Sequence, residues 1–163
     1  MRKPLFFAAL MALLPLAHAQ HKHVHGEGRL DVAIESGKIS LALELPLDAT
    51  VGFERAPKND KEKAALADVE QTLKDAAALF MPTAAAQCTP SKVAVGMPTF
   101  GGGEHADIDA EYVFTCNTPA ALKGIETTLF KSFKRLYRLE VQRSGPAGQG
   151  AARLTPKKPV LTW

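Results

Sequence analysis

The chain has 163 residues, of which 46% are hydrophobic, which is enough apolar sequence for one domain with a single core. Two of its 20 basic residues, Arg2 and Lys3, lie in a predicted signal peptide, so the mature chain would carry 18 bases against 17 acids. A nearly neutral protein offers no electrostatic basis for binding nucleic acid or an anionic membrane.

The first 19 residues have the pattern of a secretory signal peptide. A basic start precedes an apolar core, Leu5–Leu16, and Ala17-His18-Ala19 has the small-x-small pattern of a cleavage site. The core is too short to cross a bilayer, which takes roughly 20 apolar residues. We therefore predict a signal peptide over 1–19 and a single soluble, exported domain over 20–163, with no membrane insertion after cleavage.

Histidines alternate at the predicted mature N-terminus, as His21, His23 and His25. Alternate residues of an extended chain point the same way and lie about 6.6 Å apart, so two imidazoles can bind one ion. The third can join if the chain bends, and Glu27 could add a carboxylate. Imidazoles suit Zn(II) or Cu(II). The alternative is a flexible, solvated tail with no ligand role.

The predicted elements begin with a β-hairpin and a helix. Apolar and polar residues alternate over 28–35 and 39–45, separated by a Ser36-Gly37-Lys38 turn. Asn59 and Glu62 then form a capping-box pattern, and apolar residues follow at helical spacing until Pro82. These signals predict one long helix over Asp60–Met81.

The rest of the chain predicts mostly strands. A short strand, Lys92–Gly96, precedes the clearest one, Ala106–Thr115. Charge-rich Lys131–Arg138 is typical of a solvated helix surface. The fold class is α+β, an antiparallel sheet built of hairpins with one long helix and one or two short helices. The shorter predicted elements are a helix start at Thr118-Pro119, a strand at 125–129, a helical turn at 130–135, and strands at 137–141, 151–155 and 160–163.

Two further residue sets concern metal and redox chemistry. One face of the Ala106–Thr115 strand carries imidazole and carboxylate groups that could bind Zn(II), or could form an ordinary solvated face; they are His105, Asp107, Asp109 and Glu111. This face gains weight as a metal site only if folding brings it near the N-terminus. Cys88 and Cys116 in an exported chain predict one disulfide, with two buried thiols as the alternative.

No enzyme signature occurs in the sequence. There is no Gly-x-Ser-x-Gly elbow and no His-Glu-x-x-His helix, and no Lys-Ser/Thr follows Gly101-Gly102-Gly103. We therefore expect a metal-binding protein and not an enzyme. A Cu(II) protein is the first alternative, because copper binds imidazole sites more tightly than zinc. An envelope interaction domain with incidental histidines is the second.

Four sequence blocks occur in order along the chain: His23-x-His25-Gly26-x-Gly28-x-Leu30 with Val32-Ala33-Ile34-Glu35, then Val51-Gly52-Phe53-Glu54-x-Ala56-Pro57, then Tyr112-x-Phe114-x-Cys116 with Pro119 and Leu122, and a tail of Phe130-x-x-Phe133, Val141-Gln142, Gly148-Gln149 and Leu154-Thr155-Pro156. Together they resemble a family of periplasmic proteins, formerly a domain of unknown function, that includes a zinc-regulated, zinc-binding protein of Gram-negative bacteria.

The resemblance implies a periplasmic Zn(II)-binding role in zinc acquisition or homeostasis, beside a zinc-uptake transporter system. It carries ligand roles to His21, His23 and His25, and less directly to His105. Two departures imply a lower metal capacity. Arg55 stands where many members have histidine, and only Glu104-His105-x-Asp107-x-Asp109 remains of a longer His- and acid-rich stretch.

Overall fold

The structure is a computed structural model that describes residues 24–101 and 106–163. The predicted signal peptide lies outside the described residues, as do three of the predicted ligands, His21, His23 and His105. Among the helices of the described residues, none combines the length and apolarity needed to cross a bilayer.

The predicted hairpin is confirmed. Strand β1 (Glu27–Glu35) pairs antiparallel with β2 (Lys38–Pro46). The tight turn needs Gly37, whose φ of 75° is unfavourable for a residue with a Cβ. The inward face carries alternate apolar side chains that are almost fully buried, and these are Leu30, Val32, Ile39, Leu41, Leu43 and Leu45.

Helical segments follow the hairpin. A single turn, α1 (Leu47–Thr50), leads through a loop to α2 (Asp60–Lys74). The capping prediction is confirmed, because the Asn59 side chain accepts the Glu62 N–H at 2.9 Å. Helix α2 places Val69 and Leu73 in the core.

The predicted end of the long helix, Met81, is wrong. Helix α2 ends at Lys74, and the Asp75 carboxylate accepts the Ala78 N–H at 3.1 Å to begin a separate turn, α3 (Ala76–Leu79). Strand β3 (Phe80–Pro82) then pairs with a later strand. Helical spacing continues through Phe80 in the sequence, but pairing with a distant segment overrides this local preference.

The second half of the chain is mainly β-structure, as predicted. Helix α4 (Leu129–Ser132) is shorter than the predicted turn at 130–135, because the chain leaves helical geometry after Ser132. Single 3₁₀ turns occupy 84–86 and 119–121. The remaining elements are β4 (Cys88–Gly96), β5 (Asp107–Cys116), β6 (Gly124–Thr127), α4 (Leu129–Ser132), β7 (Arg138–Gly145), β8 (Gly148–Leu154) and β9 (Val160–Thr162).

The strands form two sheets. The larger has the order β4-β5-β2-β1-β7-β8, and the smaller has the order β3-β6-β9. The larger sheet is not built of hairpins alone, because β1 and β7 pair in parallel, with Leu30 opposite Val141. Such a pair needs a long crossover, which the chain between β2 and β7 supplies.

The strand register defines which residues lie at each end of the larger sheet. Pro46 lies opposite Asp107 at one end of the β2–β5 pair, and Lys38 lies opposite Thr115 at the other. The predicted disulfide is confirmed at the second end, where Cys88 and Cys116 face each other on β4 and β5. The first end holds the start of β1 and helix α1.

Candidate metal centre

Three side chains from separate segments converge at the end of the sheet that lacks the disulfide. His25 precedes β1, Asp48 lies in α1, and Glu54 lies in the following loop. His25 Nδ1 is 3.0 Å from Asp48 Oδ2 and 3.7 Å from Glu54 Oε1. One ligand atom from each residue lies within 4.8 Å of the others, which is compatible with a shared cation.

The position of His25 depends on a tight turn. The Glu27 N–H donates to the Val24 carbonyl at 3.0 Å, and Gly26 has a φ of 71°. Gly26 is packed so closely that an added Cβ would lie 2.4 Å from the Tyr137 ring and 2.7 Å from the Arg135 carbonyl oxygen. The Tyr137 N–H also donates to the Gly26 carbonyl at 3.0 Å. The segment before β7 therefore supports the turn that carries His25.

Asp48 projects from α1 because its neighbours are buried. Leu47 and Ala49 are fully buried, and the Leu47 N–H donates to the Ala106 carbonyl at 2.8 Å. The Asp48 side chain is 16% exposed. Its Oδ1 is buried and accepts no hydrogen bond from the described residues. A buried carboxylate oxygen without a partner is costly, and a bound cation would compensate for it.

Glu54 lies in a loop that is held by its neighbour. The Arg55 guanidinium donates to both oxygens of Glu62, at 2.6 and 2.9 Å, and lies 4.8 Å above the Phe53 ring. The Lys58 N–H donates to Glu62 at 2.7 Å. These hydrogen bonds lower the pKa of the Glu62 carboxyl to about 2, and the same pair raises the pKa of Arg55. Arg55 therefore holds the loop that contains Glu54 against helix α2.

The donor set fits a zinc ion. It provides an imidazole and two carboxylates, which are both zinc ligands, and three protein ligands with a fourth position open is an established arrangement for protein-bound zinc. The His25 side chain is 75% exposed, whereas the Glu54 side chain is 21% exposed. The two carboxylates are thus largely shielded from solvent, whereas the His25 imidazole is accessible to additional ligands.

The other predicted ligands are distributed differently. Glu27 forms a salt bridge with Arg138 and is not part of the cluster. On β5, Asp109 is exposed and Glu111 pairs with Lys92 at 3.1 Å. The cluster found among the described residues includes neither Asp107 nor Asp109, so their ligand role stays a prediction.

His105 itself lies outside the described residues, but its neighbour does not. Ala106 is bonded through its carbonyl to the Leu47 N–H, directly beside Asp48 in the chain. The start of β5 therefore reaches the same end of the sheet as His25. The sequence analysis makes a metal-ligand role for His105 depend on this approach of β5 to the N-terminal histidines.

Sequence reasoning missed Asp48 and Glu54. Glu54 belongs to the second resemblance block, and its place in that block is the one sequence feature that could have indicated a ligand role. Asp48 follows the strand-ending Pro46 in a segment without a motif.

Comparison with known proteins also points to zinc. The model of a family described as ZrgA family zinc uptake protein matches residues 22–163, which is nearly the whole predicted mature chain. A search of curated proteins returned no match.

Proposed function

Because the chain belongs to the ZrgA family of zinc uptake proteins, we propose that it binds Zn(II) in the periplasm and delivers it to an uptake system without catalysing a reaction. The observation that carries this proposal is the convergence of His25, Asp48 and Glu54 within 4.8 Å. Zinc is the cargo in this scheme. The signal-peptide pattern and the disulfide support the periplasmic location.

Capture would use the sheltered carboxylates together with the histidines. Asp48 and Glu54 attract the dication, His25 supplies the first nitrogen ligand, and the open side admits His21 or His23. His105 can supply a further imidazole, because β5 begins beside α1. Ligands from the N-terminal segment can detach one at a time, which suits a protein that must release its metal.

The first test is a calorimetric zinc titration of the mature chain and of a His25→Ala/Asp48→Asn/Glu54→Gln variant. Loss of outer-shell partners alone weakens metal sites by about 10–100-fold, so removal of three ligands should abolish tight binding. The matched control is Asp109→Asn/Glu111→Gln, which removes two carboxylates from β5 and should bind as the parent does. A His21→Ala/His23→Ala variant should bind more weakly than the parent.

Equal zinc affinity of the triple variant and the parent would make the proposed site wrong. Loss of binding in the control variant would instead assign the metal to the β5 face. Metal analysis of the protein isolated from the periplasm should find zinc. Stoichiometric copper would replace the zinc assignment with the Cu(II) alternative.

A further inference from the structure

The segment from α4 to the start of β7 carries three exposed cations and one exposed aromatic ring: Lys131, Lys134, Arg135 and Tyr137. All four side chains are exposed, and Tyr137 is 47% exposed despite its aromatic ring. We name this set the basic ridge. Of these four residues only Lys131 lies in a helix, so the predicted helix over Lys131–Arg138 is wrong, whereas the predicted exposure is confirmed for Lys131, Lys134 and Arg135.

Two residues of the basic ridge contact the segments that carry ligands of the candidate metal centre. The Arg135 guanidinium covers Gly52, where an added Cβ would lie 3.0 Å from its Cζ. Gly52 is two residues before Glu54. The Tyr137 ring packs on Gly26, the residue after His25. Both segments that carry these ligands therefore touch the ridge.

None of the ion pairs found among the described residues involves Lys131, Lys134 or Arg135. By contrast, Arg138 pairs with Glu27 and Glu140, and Arg55 pairs with Glu62. Positive charges beside a cation site repel the incoming ion. Zinc binding alone therefore does not account for this placement, whereas an anionic surface that covers the ridge would neutralise it.

We infer that the basic ridge is the docking surface for an acidic segment of a partner protein, placed so that the partner's carboxylates arrive beside the zinc ligands. The identification of this partner as one that exchanges zinc rests on the proposed function. The exposed Tyr137 ring offers an apolar anchor within the ridge. Tyrosine and arginine are enriched at such interfaces. A short acidic segment can cover the ridge alone, whereas a flat anionic bilayer would extend over the carboxylates of Asp48 and Glu54 as well.

The test is fluorescence anisotropy with a labelled ten-residue peptide of alternating glutamate and glycine. A peptide with glutamine in place of glutamate is the uncharged control. The parent should bind the acidic peptide, and binding should weaken as salt rises. The Lys131→Gln/Lys134→Gln/Arg135→Gln variant should lose at least about tenfold in affinity. The matched control, Lys38→Gln/Lys92→Gln/Lys123→Gln, removes three exposed lysines elsewhere and should bind as the parent does.

Zinc titration of the same ridge variant separates this inference from the proposed function. The variant should keep or improve its zinc affinity, because no ridge residue is a ligand and a repulsive charge is removed. The His25→Ala/Asp48→Asn/Glu54→Gln variant should still bind the acidic peptide. Absence of peptide binding by the parent, or equal binding by the ridge variant, overturns the inference. Preferential binding to vesicles of phosphatidylglycerol overturns it in favour of a membrane.

Discussion

The two ends of the six-stranded sheet differ in how their residues are brought together. At one end Cys88 and Cys116 join β4 and β5 at facing positions, and Cys116 is buried in the core. At the other end His25, Asp48 and Glu54 come from three separate segments and meet near the surface. Strands β1, β2 and β5 run between the two ends.

The difference separates stability from metal binding. The disulfide is a covalent link inside a regular strand pair, whereas the candidate metal centre depends on a glycine turn, a short helix and a clamped loop. A change at the disulfide end should alter the free energy of unfolding and leave zinc binding intact. A change at the site end should alter both, and this contrast can be tested from each side.

Removal of the disulfide should have the largest effect on stability. In the chain-entropy model, a link across 28 residues contributes roughly 3–4 kcal/mol. The Cys88→Ala/Cys116→Ala variant should lose about this much in urea unfolding, while zinc titration of the folded variant matches the parent. Reduction of the parent with a thiol should reproduce the loss of stability. A variant that folds but binds zinc much more weakly would show that the two ends are coupled.

Substitution of Gly26 should have an intermediate effect. Gly26→Ala places a Cβ against the Arg135 carbonyl at a φ of 71°, so we expect a loss of about 1–3 kcal/mol and weaker zinc binding. The matched control is Gly148→Ala, which also has a positive φ, of 89°, but has no atom within 4 Å of the new Cβ. The control should cost less stability and leave zinc affinity unchanged. Parental zinc affinity in Gly26→Ala would mean that the turn does not position His25.

The smallest expected effect concerns acid stability at the loop that carries Glu54. The pKa of Glu62 is lowered from 4.5 to about 2 in the folded protein, chiefly by the Arg55 hydrogen bonds. A lowered pKa stabilises the folded state above the unfolded value, and this contribution is lost as pH falls from about 4.5 towards 2. The Glu62→Gln variant should therefore show a weaker loss of stability over that range in urea unfolding.

The control for this measurement is Glu70→Gln, which removes an exposed carboxylate paired with Lys74 within the same helix. It should keep the parental pH profile. Identical profiles for parent and Glu62→Gln would show that the Arg55–Glu62 pair does not fasten the loop in solution.

Local patterns predicted the elements whose signals are short-range. The hairpin, the alternation on β5 and the Asn59 cap all depend on neighbours within a few residues. The helix end failed because Phe80 pairs through β3 with β6, far along the chain. The parallel pairing of β1 and β7 was missed for the same reason, since period-two alternation specifies a buried face and not the direction of the neighbouring strand.

By itself the sequence determined that His25 is a candidate ligand and that Cys88 and Cys116 pair, because residue type and an exported context suffice for both inferences. Only the tertiary structure decided that Asp48 and Glu54 join His25, and that Glu27 turns away to Arg138. The physical reason is that ligand atoms must meet within a few ångströms. That distance is set by contacts between remote segments, the Leu47 N–H on the Ala106 carbonyl and the Tyr137 ring on Gly26.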